Sequence, residues 1–209
     1  DSSPDGTGEL ADELAASDGA TTVLHRESKE GLGAAYADGF EAALSAGPAV
    51  VCEMDADFSH DPDSLVDLVA AIEEGAEVAV GSRYVPGGGT PDWPWHRKLI
   101  SVGGNLYARW ALGLDIHDAT GGFRAFRADV LSDLDPATAQ ASGYAFQVEI
   151  IWRASERELR IAEVPIIFRD RRYGRSKMSG TIVLEAMWLV TRWGWGRFRR
   201  RLGWRDREV

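Results

Sequence analysis

The sequence predicts an α/β domain with a mainly parallel open sheet and helices on both faces. Short apolar runs, Val50 to Met54 and Val78 to Gly81, alternate with stretches of helical periodicity. Such alternation needs crossover connections, which give parallel neighbours buried on both faces. The 209 residues and 44% hydrophobic content suit one domain with a sizeable core.

The elements follow in order. Asp1 to Thr7 is turn-forming sequence, Glu9 to Ala16 a short amphipathic helix, and Thr21 to His25 a strand. Leu32, Tyr36, Phe40 and Leu44 set the helical period of residues 31–46. Val50 to Met54 is the next strand, expected to be buried. A helix over 62–74 follows, with Pro62 in its first turn, then the strand Val78 to Gly81. Pro86 to Pro91 is a loop and His96 to Leu112 a longer helix. Phe123 to Phe126 reads as a short strand and Phe146 to Ser155 as a helix. Ile161 to Phe168 is a strand placed at a sheet edge by Pro165. A polar, basic loop spans 170–179, a helix 181–193, and an Arg- and Trp-rich tail ends the chain. The chain opens in a loop of the kind that follows a strand, so a first βα unit is expected ahead of Asp1.

Composition narrows the partners. Residues 192–209 hold seven arginines against two acids, while the rest carries 16 basic against 31 acidic residues. The body is acidic and nucleic acid is not an expected partner. Only Lys29, Lys98 and Lys177 are lysines. An acidic, lysine-poor surface suggests a halophilic archaeon, although a GC-rich genome has the same bias. The one cysteine, Cys52, excludes an intrachain disulfide, and no apolar run is long enough to span a membrane.

The most informative motif is Met54-Asp55-Ala56-Asp57 at the end of an apolar strand. An open α/β sheet binds ligands at the carboxyl ends of its strands. Two carboxylates one residue apart there repel unless a divalent cation, shared with substrate phosphates, compensates. The other reading is a helix N-cap, since Asp61-Pro62 follows. Four polar clusters accompany the pair: Gly81-Ser82-Arg83; Arg97, Ser101 and Asn105 on one helix face; residues 118–124; and residues 170–177. A cation site with several guanidinium groups is equipment for two phosphorylated molecules. His25, His60, His96 and His117 show no zinc spacing, and His60 is expected to support the aspartate loop. Gln147 and Glu149 read as a site motif or as a solvated or structural helix face, and Arg124 as a site residue or a structural ion-pair partner of Asp118.

Seven stretches carry a family resemblance: Asp1 to Thr7, GLGAAY, MDADFSHDP, GSRYVPGG, DATGGFR, GYAFQVE and FRDRRYGRSKMS, spanning residues 1 to about 180. In this order they resemble the dolichyl-phosphate mannosyltransferase branch of the family 2 glycosyltransferases. The resemblance implies a GT-A fold over 1–180 and inverting transfer of mannose from GDP-mannose to dolichyl (polyprenyl) phosphate, with Mg²⁺ or Mn²⁺. It implies Asp55, Asp57 and, more weakly, Ser59 as metal ligands. Arg83, Arg97, Ser101, Arg171 and Lys177 would hold the acceptor phosphate, with Arg83 and Arg171 catalytic alongside the aspartates. Asp1, Asp5 and Asp55 would touch the nucleotide. Relatives usually begin with a strand and a Pro-x-Tyr-Asn-Glu stretch. Without these, the 209 residues alone are expected to be marginally stable and to bind GDP-mannose weakly.

Residues 181–209 are set apart as an amphipathic segment, in which Trp188, Trp193, Trp195, Phe198, Leu202 and Trp204 alternate with arginines. That pairing suits a lipid headgroup layer and a peripheral position on the cytoplasmic face of the cell membrane. The alternative is a helix packed on the domain. Three rival functions are a dolichyl-phosphate glucosyltransferase using UDP-glucose, a phosphatase of the haloacid-dehalogenase type, and an inactive lipid-phosphate-binding remnant.

Overall fold

The computed structural model describes residues 5–141, 143, 145–170 and 180–201, with side chains from 183 to 199 in the last stretch. Its centre is a four-stranded sheet of β1 (Val50–Glu53), β2 (Val78–Ser82), β3 (Arg124–Arg127) and β4 (Ile161–Pro165), in the spatial order β1-β3-β2-β4. β1, β2 and β4 run one way, and β3 runs against both of its neighbours. The helices are α1 (Thr7–Ser17), α2 (Leu32–Ser45), α3 (Ser64–Glu73), α4 (Trp95–Leu112), α5 (Ala128–Leu134), α6 (Ala145–Glu156) and α7 (Gly180–Arg201).

Alternation along the strands splits the core in two. Val78, Val80, Val51 and Phe126 face a large cluster built with α2, α4, α5, α6 and α7. Ala79, Ala125, Val164 and Phe123 face a smaller one capped by Leu68 and Ile72 of α3. Helices therefore cover both faces, as the strand–helix alternation predicts. Central β2 is buried at all five positions. β1, at the sheet edge, is not: Cys52 is exposed, which corrects the expectation of a buried run.

Two further expectations fail. Residues 21–25 form no strand, because no neighbouring strand among the described residues completes a ladder with them, and four of the five are exposed. The C-terminal segment, as far as Arg201, packs on the domain. α7 continues through the supposed tail to Arg201, and Leu189, Val190 and Trp193 are part of the larger core cluster. Trp193 stacks on Trp152 of α6 at 5.3 Å. Apolar positions spaced three and four apart gave this helix a face to bury, so the segment packs.

Topology positions the site. The carboxyl ends of β1, β2 and β4 and the amino end of β3 meet along one edge of the sheet. The loops leaving that edge carry Asp55 to His60, Arg83, the 118–123 turn, and Phe168 with Asp170.

Candidate active site

The aspartate loop is held from three sides. Phe58 adopts a left-handed φ of 64°, folding the loop back on itself. Asp57 accepts hydrogen bonds from the Ser59 backbone N–H at 3.0 Å and from the Ser59 hydroxyl. Asp55 accepts one from the Tyr36 hydroxyl of α2 at 3.3 Å, and its N–H donates to His60 Nδ1 at 3.2 Å. Accepting at Nδ1 makes His60 a neutral ring with its proton on Nε2. Desolvation agrees, pushing the His60 pKa down against the pull of Asp55 and Asp57. The ring stacks on Phe123 at 4.8 Å and meets Phe168 edge-on. His60 thus supports the loop, as the sequence suggested. Ser59, expected as a third ligand, is buried, with its hydroxyl bonded to the Asp57 carboxylate.

The arginine cluster is built differently from the expectation. Arg83 is buried and makes a bidentate pair with Asp118, Nε to Oδ2 and Nη2 to Oδ1, each at 2.6 Å. Its backbone N–H also reaches Asp118, and Nη2 reaches Thr120. Burial works against both charges, yet each outweighs it for the other: the Arg83 pKa lies above its ordinary value and that of Asp118 below. Tyr84, Trp93 and Phe168 surround the guanidinium at 5.3 to 5.6 Å. Asp118 therefore pairs with Arg83 and not with Arg124.

Arg97, Ser101 and Asn105 do share one face of α4, and that face is turned to this cluster. Asn105 bonds Thr120 and the Ala119 N–H, and Ser101 accepts from the Tyr84 hydroxyl at 2.7 Å. Arg97 lies over Trp93 at 4.0 Å and bonds Asp170 at 2.9 Å on the rim. Trp93, in the loop just ahead of α4 and its Pro94 cap, is a side chain that sequence reasoning missed. Asp5 accepts hydrogen bonds from the backbone and hydroxyl of Thr7 at the start of α1. Asp1, Arg171 and Lys177 lie outside the described residues.

Beneath the aspartate loop sits a buried polar group. Glu53 and Arg124 are cross-strand partners on β1 and β3, and Gln147 of α6 closes on both. Burial pushes the Glu53 carboxyl up to about 7, with the Arg124 guanidinium opposing. Glu149, also buried, holds the Gln140 and Ala141 N–H groups and Arg153. Both α6 side chains are thus buried and neither is solvated.

Among the described residues no three His, Cys, Asp or Glu side chains converge to hold a metal. A cation at Asp55 and Asp57 would rest on two carboxylates and complete its shell with substrate phosphate oxygens and water. The donor set fits Mg²⁺ or Mn²⁺, hard ions that favour oxygen and keep several non-protein ligands.

Fold and site define an α/β protein with acidic and basic loops facing each other across one sheet edge. The profile of Glycosyl transferase family 2 matches residues 1–135, and the chain belongs to that family. It is 50% identical over 195 residues to polyprenol monophosphomannose synthase of Mycolicibacterium smegmatis, covering 93% of this chain and 74% of that protein. It is likewise 50% identical over 207 residues to undecaprenyl-phosphate mannosyltransferase of Micrococcus luteus, covering 97% and 85%. These relatives give no support to the halophilic archaeal origin suggested by composition. The fold resembles glucosyl-3-phosphoglycerate synthase from Mycobacterium tuberculosis, solved with Mn²⁺, uridine-diphosphate and glucosyl-3-phosphoglycerate. The TM-score is 0.55 at 20% identity, covering 100% of this chain and 68% of that one.

Proposed function

We propose that the protein transfers mannose from GDP-mannose to a polyprenyl phosphate of the dolichyl or undecaprenyl kind, with inversion and with Mg²⁺ or Mn²⁺. The observation that carries this reading is the meeting of the Asp55–Asp57 loop and the Arg83–Arg97 cluster at one sheet edge, in a chain half identical to two such mannosyltransferases.

A lipid phosphate is ionised at neutral pH, so its oxygen attacks without a general base. What the site must do is hold two anions in line and offset charge on the departing diphosphate. Asp55 and Asp57 would hold the cation, which supplies that charge when bound. Ser59 and Tyr36 keep the two carboxylates aimed. Arg97 and Ser101, with Arg171 and Lys177, would receive the acceptor phosphate, and Asp1 and Asp5 the nucleoside side. Arg97 suits the task because its bond to Asp170 is on the rim, where an ion pair contributes only about 0–1 kcal/mol and is readily exchanged for phosphate. Arg83, locked to buried Asp118, shapes the acceptor site without leaving its partner.

The expected result with labelled GDP-mannose and undecaprenyl or dolichyl phosphate is an organic-extractable mannolipid. Product from UDP-glucose and none from GDP-mannose would replace the donor assignment. Release of free sugar or phosphate alone would sink the transferase reading.

The acceptor's bilayer suggests a docking surface. Trp95, Leu99, Val102, Leu106 and Trp110 form an exposed stripe on α4, with the terminal indoles 77% and 79% exposed. On α7, Leu184, Met187, Trp188, Trp195 and Phe198 are exposed as well. The two helices are joined by Tyr107 and Thr191 at 2.6 Å and by Gly194 close against Ala111. Lys98, Arg109 and Arg192 flank the stripes, each basic group contributing about 1 kcal/mol at an anionic surface. Among the described residues no helix is long and apolar enough to cross a membrane; the proposed contact is made by these exposed side chains at the surface. Replacing Trp95 and Trp110 by Ser should lower binding to anionic vesicles at least tenfold in co-sedimentation, since burying about 100 Å² of each indole contributes about 2.5 kcal/mol. Unchanged binding would remove α4 from the surface.

A further inference from the structure

Burying a guanidinium costs several kcal/mol, and an apolar side chain of similar volume is commonly as stable or more so. Arg124 is nevertheless fully buried in β3, an interior strand of the sheet. Its partners explain what it does there. In the strand register it stands opposite Glu53 of β1 on one side and Val80 of β2 on the other. Glu53 lies two residues before Asp55, and Val80 three before Arg83. Nη2 donates to the Ala119 carbonyl at 2.8 Å, next to Asp118, and Nη1 donates to the Gln147 carbonyl at 2.9 Å. One rigid fork thus touches the strand under the aspartate loop, the turn that carries the partner of Arg83, and helix α6.

The contacts are unequal. The two carbonyl bonds are short, whereas Nε stands 3.6 Å from Glu53 Oε1, and Gln147 Nε2 stands 3.4 Å from Glu53 Oε2. Arg124 Nε, Glu53 Oε1 and Gln147 Oε1 are buried and have no hydrogen-bond partner among the described residues. Three such atoms on three touching side chains mark a junction that is firm toward the 118–120 turn and loose toward β1.

We propose that Arg124 is a positioning residue that sets the separation between the donor-side aspartate loop and the acceptor-side Asp118 turn. The inference rests on the proposed glycosyl transfer, because it assigns those two loops to two substrates. A planar fork bridging three elements cannot be replaced by a point charge. A misplacement of about 1 Å between reacting partners costs up to roughly 100-fold in rate while each partner still binds.

The test compares Arg124→Lys and the shape-conserving Glu53→Gln with the wild-type chain. The donor is whichever labelled nucleotide sugar the wild-type protein uses, and the acceptor is undecaprenyl phosphate. Assays are run well below each variant's Tm. Mn²⁺ binding to the protein alone, read by titration calorimetry, is measured alongside. The expected result is a kcat lower by about 10- to 100-fold, with both KM values and the Mn²⁺ affinity within about twofold of wild type. A lowered Tm with unchanged kcat means that the cluster is structural only and overturns the proposal. So does a rise in one substrate's KM at unchanged kcat, which would give Arg124 to one subsite. Should Arg124→Lys fail to fold, Glu53→Gln decides by the same criteria. A wild-type chain that uses another sugar nucleotide corrects the donor and leaves this inference standing.

Discussion

Asp57→Asn should lower kcat/KM by roughly 10³-fold, about 4 kcal/mol of transition-state stabilisation, with the protein still folded. The carboxylate belongs to a loop held at Phe58 and Ser59, so a neutral isostere keeps the shape and the Ser59 bonds while removing a charge. What is lost is the compensation for negative charge growing on the leaving diphosphate. The parallel manipulation is chelation: activity should vanish in excess chelator and return with Mg²⁺ or Mn²⁺. Asp55→Asn should resemble it and additionally disturb Tyr36, whose hydroxyl donates to Asp55. Full turnover in excess chelator would mean that the two carboxylates hold no catalytic cation.

The two arginines of the basic cluster should part company when each is replaced by Gln. Arg83→Gln should destabilise the fold by about 3–5 kcal/mol, because it leaves the Asp118 carboxylate buried without its bidentate partner. Arg97→Gln, on the rim, should cost no more than about 1 kcal/mol of stability yet raise the acceptor KM, with donor binding near normal. Denaturant titration and separate KM measurements decide both halves. The acid sensitivity of the wild type has the same source. Despite its burial, Asp118 titrates below the ordinary carboxylate value of about 4 because of Arg83. Its contribution is complete above that ordinary value and is lost as pH falls through the lowered one. Arg83→Gln should therefore flatten this part of the pH–stability curve. An Arg83 variant as stable as wild type but unable to use acceptor would restore Arg83 to the role of phosphate clamp.

Much of the site was legible as chemistry. Asp-x-Asp after an apolar run pointed to the strand-end loop that carries Asp55 and Asp57, because strand ends in α/β sheets are where ligands bind. Spacing by four put Arg97, Ser101 and Asn105 on one face, and Pro165 marked β4 as an edge strand. His60 read correctly as loop support, since a lone histidine beside two aspartates has no ligand spacing of its own.

Pattern alone marked most of the strands and helices, though not α5, the full length of α7 or the absence of a strand at 21–25, and it marked which polar groups cluster along the chain, because periodicity and charge are local properties. Pairing was decided only in three dimensions. Asp118 is as near in sequence to Arg124 as an ion pair could ask, yet it bonds Arg83, 35 residues away, because β3 runs antiparallel and brings the 118–123 turn beside the end of β2. That left Arg124 opposite Glu53, a contact no spacing rule reaches across 71 positions. The fate of the C-terminal segment was likewise a tertiary matter. Its tryptophans have the same composition whether they meet lipid or core, and only the packing of α7 on α4 and α6 buries Trp193 while leaving Trp188 and Trp195 exposed. Ion-pair partners and exposed faces depend on which distant elements the sheet brings together, and local sequence does not carry that information.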